Sequence, residues 1–473
     1  MGRVTQDAPR STASTPTTPG EPVVDTDERA ARREFDTPSG RVVGRVDGDV
    51  VRVLGVPYAD AGRFEPPRPV APWSSPLLAF DRAPASPQLP APGLEALIEG
   101  AAADMVDDEH CQRLSITLPA DLAADERVPV MVWIHGGSYV SGAGDLRVYD
   151  PRALVAEQRV VVVTVTYRLG MLGFFGDGDA VPANLGLLDQ LAAVRWVHDT
   201  IEAFGGDSSR ITLFGQSAGG DAIAHLMISE GARGLFARAI VQSAPLGIVR
   251  GRTRMIAAMT EAVGTPRTDA PIDEVLAGQP VAERAAKRFG LRGGMAFGVQ
   301  YGRAPLPAES DADDAWREVA PEIDLLIGST TDETAVFAEF STPLQRVFSL
   351  PLVGRAIRRV LIDATTKAVY HRAGRAFAER HRAAGGRVST FRFTWEPEGT
   401  AFGAAHITEL PLLLGGREAW GHTRLIGTTD WADVERRGRK VRQVWADFAR
   451  TGTVATDATA GLADTLVVDR RPS

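Results

Sequence analysis

Two short runs of apolar, mostly β-branched residues constrain the fold of this chain more than any other feature. They span Val128–Ile134 and Val160–Tyr167. A strand with one face in water alternates apolar and polar residues, whereas a strand covered on both faces is apolar nearly throughout. Strands of the second kind belong to parallel sheets with helices on both sides. The runs therefore predict an α/β fold with a mostly parallel central sheet covered by helices.

The pattern elsewhere in the chain agrees with this fold class, because predicted strands alternate with predicted helices. A hairpin is predicted near the N-terminus, and a long amphipathic helix with one apolar stripe is predicted near the C-terminus. The further predicted strands are Arg41–Val46, Val50–Val56, Ile211–Phe214, Ala239–Gln242, Leu325–Ile327 and Val388–Trp395, and the predicted helices are Leu187–Phe204, Ala218–Ser229 and Trp431–Arg450.

The domain organisation follows from composition along the 473 residues. Residues 1–34 are rich in Pro, Thr, Ser and charge, so they are predicted to be a disordered tail. Residues 35–473 are predicted to form a single domain. Two stretches, around 250–310 and 340–385, are predicted as mainly helical insertions that cap the carboxyl edge of the sheet, where ligands bind in open α/β folds.

Charge and cysteine content exclude several classes of protein. The formal net charge is −8, and no basic stripe suggests nucleic-acid binding. The single cysteine, Cys111, allows no intrachain disulfide. No run of 18 apolar residues is present, so no membrane span is expected. No secretory signal is visible in the sequence, so a cytoplasmic location is expected. The protein is expected to be a monomer or a homodimer.

The pentapeptide Gly215-Gln216-Ser217-Ala218-Gly219 is the first candidate for chemistry. It follows a predicted strand and opens a predicted helix, which is the context of a nucleophile elbow. The turn exposes the hydroxyl of Ser217 at a helix N-terminus, where the helix dipole favours developing negative charge. A serine hydroxyl is a weak nucleophile without a general base, so a base and an acid are expected later in the chain.

His406 is the best candidate for the base, because it follows a predicted strand and a loop that can aim the imidazole at Ser217. The other histidines after the elbow are weaker candidates: His371 and His381 are expected to face water, and His422 lies in a polar loop. Glu333, in a loop after another predicted strand, is the candidate acid, with its neighbour Asp332 as the rival. The acid would hold the tautomer of the histidine and stabilise its protonated form.

A second loop rich in glycine, His135-Gly136-Gly137-Ser138, follows the strand that ends at Ile134. Main-chain N–H groups in such a loop can bind a developing oxyanion, together with the N–H of the residue after the nucleophile, Ala218. Glycine allows the main chain to approach that oxygen closely.

These residues together resemble the type-B carboxylesterase family, and in character its bacterial p-nitrobenzyl-type esterases. The resemblance covers most of the chain, and the segments that carry it include NLGLLDQLAAVRWVHDTIEAFGGDSSRITLFGQSAGG, VWIHGGSYVSGAG, STTDETAVF and GAAHITELP. It implies an α/β-hydrolase fold and hydrolysis of small to medium carboxylic esters through an acyl-enzyme, with no metal or organic cofactor. It also implies Ser217 as nucleophile, Glu333 as acid and His406 as base, beside an oxyanion hole of Gly136, Gly137, Ser138 and Ala218.

Two alternatives to ester hydrolysis stay open at this point. One is hydrolysis of amides, carbamates or lactones with the same triad, and the other is a non-catalytic relative that binds ligands. The chain also departs from the family pattern. Gln216 stands where the family often has Glu, Ser138 replaces a third glycine, and Cys111 has no partner. The stretch 84–111 contains no tryptophan, so a cholinesterase is not expected.

Overall fold

A twelve-stranded mixed sheet forms the centre of the computed structural model, which describes residues 1–2, 32–100, 105–176, 181–455 and 458–469. Two further short strands, β4 and β5, pair separately. The strands are β1 (Arg32–Thr37), β2 (Gly40–Asp47), β3 (Val50–Pro57), β4 (Ala59–Asp60), β5 (Arg68–Pro69), β6 (Leu77–Leu78), β7 (Arg113–Pro119), β8 (Val128–Ile134), β9 (Val161–Val165), β10 (Gly206–Gln216), β11 (Arg238–Gln242), β12 (Asp324–Thr330), β13 (Val388–Phe393) and β14 (Leu466–Asp469).

The strand order along the sheet is β1-β2-β3-β7-β9-β8-β10-β11-β12-β13-β14, with β6 beside β2. The central strands, from β9 to β13, run parallel, and all residues of β8 and β9 are buried. The prediction of a parallel sheet from the apolar runs is therefore confirmed for the centre. The flanks differ, because β1, β2, β3, β7 and β14 each pair antiparallel with their neighbours in the order.

Strand β1 corrects the boundary of the predicted N-terminal tail. Arg32 pairs with Arg45 of β2, so the last three residues of the predicted tail belong to the sheet. The ring centroid of Phe35 lies 4.7 Å from that of Phe204. The charged, proline-rich sequence before Phe35 gave no sign of this contact. Residues 3–31 of the predicted tail lie outside the described residues.

Helices cover the sheet, and the three predicted helices all form with small shifts of their ends. The α-helices of the described residues are Pro92–Glu95, Arg152–Gln158, Gly170–Gly173, Leu185–Thr200, Ala218–Leu226, Thr253–Val263, Ile272–Ala286, Ala312–Val319, Ala335–Glu339, Thr342–Phe348, Gly354–Thr366, Arg372–Ala383, Leu410–Leu413, Arg417–Trp420 and Trp431–Thr451. Within the part of the chain that the structure describes, no helix is both long enough and apolar enough to cross a membrane.

The C-terminal helix Trp431–Thr451 packs on one face of the sheet along its predicted apolar stripe. Trp445 is fully buried, and its ring lies 5.2 Å from that of Phe391 on β13. Its indole N–H donates a hydrogen bond of 3.0 Å to the side-chain oxygen of Gln242, at the end of β11. The helix thus holds the carboxyl end of β11 in place.

The strand order reverses direction at β8, which creates a crevice at the carboxyl edge of the sheet. From β8 the chain passes through the helix Arg152–Gln158 to β9 on one side, and β10 then pairs with the other side of β8. Ligands bind at such a reversal point in open α/β sheets, because the loops on either side diverge there. The loop that begins at His135 and the turn at Ser217 leave the sheet at this point.

Candidate active site

Ser217 occupies a strained turn between β10 and the helix Ala218–Leu226. Its backbone angles are φ 60° and ψ −125°, outside the regions that non-glycine residues prefer. The turn is held from both sides, since the N–H of Ser217 donates to the carbonyl of Gln242 at 2.9 Å and the N–H of Asp221 donates to the carbonyl of Ser217 at 2.9 Å. The strand-turn-helix context predicted for the pentapeptide is therefore present.

Gly219 lets the helix that follows Ser217 cross β8 at close range. A Cβ atom at this position would lie 2.0 Å from the carbonyl oxygen of Ile134 and 2.7 Å from that of His135. Both contacts are with main-chain atoms, which cannot move aside as a flexible side chain can. The second glycine of the motif thus sets the distance between the nucleophile and the loop after β8.

The loop after β8 turns sharply beside Ser217. Gly137, Ser138 and Tyr139 have φ values of 117°, 55° and 63°. A Cβ at Gly137 would lie 2.0 Å from the carbonyl oxygen of Ser141, so only glycine fits there. Within the described residues, the main-chain N–H groups of Gly137, Ser138 and Ala218 form no hydrogen bond with a main-chain carbonyl outside regular helices and strands. These three donors thus have no main-chain partner of this kind.

The loop and the helix of the nucleophile are joined by a buried hydrogen bond. The hydroxyl of Tyr139 donates to Oδ2 of Asp221 at 2.6 Å, and both residues are fully buried. The hydroxyl of Tyr167 donates to the carbonyl of His135 at 2.7 Å and fixes the start of the loop. These bonds hold the N–H groups of Gly137 and Ser138 at a defined distance from the N–H of Ala218.

Glu333 and His406 form a buried hydrogen-bonded pair. Nδ1 of His406 contacts Oε2 of Glu333, and the N–H of Thr330 donates to Oε1 at 2.7 Å. The exposed fractions are 0% for Glu333 and 4% for His406. Burial alone would raise the pKa of Glu333, but the adjacent imidazole and the hydrogen bonds outweigh burial and lower this pKa. Glu333 is thus held as a carboxylate that fixes the proton of His406 on Nδ1.

The other imidazole nitrogen of His406 points toward the nucleophile turn. Nε2 lies 3.2 Å from the side-chain nitrogen of Gln216, the residue before Ser217. With Nδ1 protonated, the lone pair of Nε2 accepts this hydrogen bond. Within the described residues, His406 forms no hydrogen bond with the hydroxyl of Ser217. The rings of Phe337 and Tyr370 lie 5.1 and 5.5 Å from the imidazole and enclose it.

Asp332, the rival acid, does not reach His406. Its N–H donates to the carbonyl of Ala404 at 2.8 Å, and its carboxylate lies beside Gly403. Burial and the charge of Glu396 raise the pKa of Asp332, and the positive charges of Arg358 and Arg359 do not outweigh them. The structure therefore brings the imidazole to Glu333 and not to its neighbour.

The expectation that His371 and His381 face water is wrong. His381 is 2% exposed, and Nε2 lies 2.9 Å from the carbonyl oxygen of Ile323. His371 is half-buried, and Nε2 lies 3.0 Å from the carbonyl oxygen of Thr330. The helix Arg372–Ala383 packs against β12 and β13, and the arginine-rich sequence concealed this buried side.

Sequence reasoning missed two polar residues behind the acid. Glu409 is 1% exposed and lies close enough to Glu333 for the two carboxylates to repel each other. Ser243 Oγ lies 3.4 Å from Oε1 of Glu409. Burial, with the charge of Glu333 as the second cause, raises the pKa of Glu409 to about 8. The spacing of Glu409 three residues after His406 was the only available signal, and Ser243 gave none.

A mostly apolar cavity of about 400 Å³ opens above Ser217. Its walls come from both predicted cap insertions and from the loop after β8. The residues that line it include Ser138, Ile248, Leu291, Met295, Phe337, Leu344, Leu361, Ile362, Val369 and Tyr370. Among the described residues, no cluster of three or more His, Cys, Asp or Glu side chains is suited to a metal ion.

A comparison with known proteins identifies the family of the chain. Residues 31–349 match the model of the carboxylesterase family. The chain belongs to this family. It is 35% identical over 427 residues to a probable N-octanoylanthranilate hydrolase of Rhodococcus erythropolis, a match that covers 89% of this chain and 93% of the relative. It is 31% identical over 463 residues to the para-nitrobenzyl esterase of Bacillus subtilis (strain 168), covering 89% and 90%.

Solved structures agree with this assignment. The structure of a thermophilic PNB esterase matches with a TM-score of 0.76 and 30% identity, covering 90% of this chain and 92% of the other. The resemblance deduced from the sequence motifs, the α/β-hydrolase fold and the class of activity are therefore confirmed. The protein is a carboxylic ester hydrolase of the carboxylesterase family.

Proposed function

We propose that Ser217, His406 and Glu333 are the catalytic residues of this hydrolase. The observation that carries the proposal is the buried Glu333–His406 pair, because Nε2 of His406 lies beside Gln216, the residue that precedes Ser217. The strained turn at Ser217 adds support, because strain of this kind concentrates at functional sites. The predicted single domain from 35 to 473 carries all three residues.

In the proposed reaction, Nε2 of His406 exchanges the amide of Gln216 for the hydroxyl of Ser217. The imidazole takes the hydroxyl proton while the serine oxygen attacks the ester carbonyl, and Glu333 stabilises the imidazolium. The imidazolium then gives its proton to the leaving alcohol. Water, activated by the same imidazole, hydrolyses the acyl-enzyme and restores Ser217.

The oxyanion of each tetrahedral intermediate would be bound by the N–H groups around Gly136, Gly137, Ser138 and Ala218. In the part of the chain that the structure describes, the N–H groups of Gly137, Ser138 and Ala218 form no main-chain hydrogen bond outside regular elements, and Tyr139 anchors the loop of the first two to the helix that begins with Ala218. Donors fixed before the reaction lower the barrier because no reorganisation is needed, and each is typically worth about 10²–10³ in rate.

The cavity above Ser217 supports small to medium esters with an apolar acyl or alcohol part as substrates. The insertions around 250–310 and 340–385 act as the cap, since Leu291 and Met295 line the cavity from the first and Leu361 and Ile362 from the second. A wall of this composition discriminates by size and shape, because it offers few polar groups for orientation.

A second candidate function is the hydrolysis of an N-acyl bond with the same triad. The relative from Rhodococcus erythropolis is named for N-octanoylanthranilate, a substrate with an apolar acyl chain on nitrogen. An apolar cavity of about 400 Å³ is compatible with such a chain. A panel of matched esters and anilides with the same acyl groups would rank the two functions by kcat/KM.

Replacement of the nucleophile tests the proposal. Ser217→Ala should abolish turnover of p-nitrophenyl butyrate and leave the circular dichroism spectrum and Tm nearly unchanged. Ser208→Ala replaces a half-buried serine that bonds Glu202, and this matched control should retain full activity. Labelling with an organophosphate should add one group to Ser217, located by mass spectrometry. Undiminished turnover by the Ser217 variant would refute the assignment.

The cytoplasmic location, the monomeric or homodimeric state and the absence of nucleic-acid binding stay predictions. Light scattering after size-exclusion chromatography tests the oligomeric state, and fractionation of the source cells tests the location.

A further inference from the structure

The cap carries an unusual concentration of exposed apolar side chains. Of the thirteen large apolar side chains that are exposed in the described residues, seven lie between positions 337 and 360. Single exposed apolar residues are common, whereas clusters mark surfaces that bind something. We call this cluster the cap patch, and its members are Phe337, Phe340, Leu350, Leu352, Val353, Ile357 and Val360.

The cap patch is formed by the helix Gly354–Thr366, by the loop before it, and by Phe337 and Phe340 at the end of the helix Ala335–Glu339. The helices Thr342–Phe348 and Gly354–Thr366 pack against each other, and residues 349–353 connect them. Val353, Ile357 and Val360 recur at the three- and four-residue spacing that places side chains on one face of a helix. Leu352, at the tip of the loop, is fully exposed. Ile357, Val360 and the loop residues before them therefore give the cap an exposed apolar surface.

The charge of this segment is opposite to that of the whole chain. Residues 340–362 contain four arginines and no acidic residue, although the chain has a formal net charge of −8. Arg358 pairs with Glu339 at 3.6 Å. The other three, Arg346, Arg355 and Arg359, are exposed and form no ion pair within the described residues. A segment that combines exposed apolar residues with exposed arginines suits an anionic, apolar partner.

The cap patch lies directly outside the cavity above Ser217. The helix Gly354–Thr366 lines the cavity with Leu361, Ile362 and Thr365, while Ile357 and Val360 are exposed. Phe337 belongs to both the patch and the cavity wall. A partner bound to the patch would therefore lie beside the opening through which an apolar substrate enters.

A second copy of the chain is a poor occupant for this surface. A twofold dimer interface brings the same patch of both copies together, so it would gather the positive charges of both copies in one interface. A bilayer that contains anionic phospholipid satisfies both features, because headgroups pair with arginines and the boundary of the acyl region accepts exposed apolar side chains.

We propose that the cap patch binds reversibly to the surface of anionic phospholipid membranes and presents the active-site opening to esters dissolved there. The attachment is peripheral and rests on the exposed apolar side chains and on Arg346, Arg355 and Arg359. The proposal concerns binding, so it holds whether or not Ser217 is the nucleophile, and the inactive variant can serve in the test.

Sedimentation of the full chain with large unilamellar vesicles tests the proposal. We expect binding to phosphatidylcholine vesicles that contain about one third phosphatidylglycerol, and at least about tenfold weaker binding to pure phosphatidylcholine, since each arginine near an anionic surface contributes about fivefold to affinity. Binding should weaken when ionic strength rises from about 0.05 M to about 0.5 M, because salt screens the arginines.

Two double variants separate the contributions to binding. Arg355→Gln with Arg359→Gln should weaken binding about twenty- to thirtyfold, and Leu352→Ser with Val360→Ser about tenfold or more. None of these side chains lines the cavity, so turnover of soluble p-nitrophenyl acetate should stay unchanged. Val106→Ser with Val467→Ser is the matched apolar control, and Arg267→Gln with Arg317→Gln the matched charge control.

Three results would overturn the proposal. They are absence of binding to the anionic vesicles, equal weakening by the control variants, and a concentration-dependent dimer that the Leu352 and Val360 substitutions dissociate. The last result would assign the patch to a second copy of the chain. Loss of hydrolysis in Ser217→Ala with vesicle binding intact would support both proposals independently.

Discussion

Glu409→Gln is the perturbation whose effect on stability the structure defines most clearly. Glu409 is buried beside Glu333, and its pKa rises to about 8 from an ordinary value of 4.5. The folded protein therefore binds this proton more tightly than the unfolded chain does. The contribution of Glu409 to the free energy of unfolding is therefore at its full value below pH 4.5 and is lost as the pH rises through about 8. The glutamine side chain has nearly the same shape but does not titrate.

The difference between the ordinary pKa of 4.5 and the pKa of about 8 in the folded protein corresponds to about 5 kcal/mol of pH-dependent stability. Each tenfold difference in proton affinity is worth about 1.4 kcal/mol. The free energy of unfolding of the natural protein should fall between pH 5 and pH 8 by up to about 4 kcal/mol more than that of Glu409→Gln. The amide of the variant can cost a constant amount in lost hydrogen bonds, so the slope with pH is the informative quantity.

Urea unfolding followed by tryptophan fluorescence at several pH values between 5 and 9 measures this slope. The matched control is Glu398→Gln, an exposed carboxylate, which should leave the slope unchanged. Curves for Glu409→Gln and the natural protein that run parallel across the whole range would show that Glu409 is ionised in the folded state, and the account of the buried pair would then be wrong.

Three further predictions concern the turn, the loop and the C-terminal helix. Gly219→Ala should lower Tm and reduce kcat/KM by at least about tenfold, because its Cβ would meet the carbonyl oxygen of Ile134 at 2.0 Å. A normal Tm would show that the helix can shift freely. Tyr139→Phe should cost about 2–3 kcal/mol of unfolding free energy by leaving buried Asp221 without its donor, and kcat should fall as the loop loosens. An unchanged denaturation midpoint would contradict this. Trp445→Ala should cost about 3–5 kcal/mol in urea unfolding, and a loss under 1 kcal/mol would contradict its role in the core.

The parts of the site that sequence could predict are those encoded locally. The turn at Ser217 and the loop after Ile134 each combine a buried strand with glycines at fixed spacing, and the physical need for those glycines is local. His406 and Glu333 were deduced from chain order and from loops at strand ends. Their hydrogen bond then followed from the parallel sheet, which brings the carboxyl ends of its strands to one edge.

The parts that sequence could not predict depend on contacts between distant segments. Glu409 and Ser243 meet only because the loop after β13 folds over the end of β11. His381 is buried by the docking of its helix, which a run of arginines does not reveal. The predicted hairpin of β2 and β3 forms, but the antiparallel pairings of β1, β7 and β14 escaped prediction, since short strands such as β1 gain their stability from a neighbour rather than from their own residues.

The sheet fixes the reacting groups, whereas the cap supplies much of the cavity wall, and this separation determines how the protein can be altered. The reacting groups are fixed by the ends of β8, β10 and β12 and by the loop after β13, which the sheet holds at set distances. Most of the cavity wall comes from segments that carry none of those groups. A recombinant chimera that exchanges residues 342–366 for those of a relative should therefore change which compounds are accepted while the chemistry of bond cleavage is inherited intact.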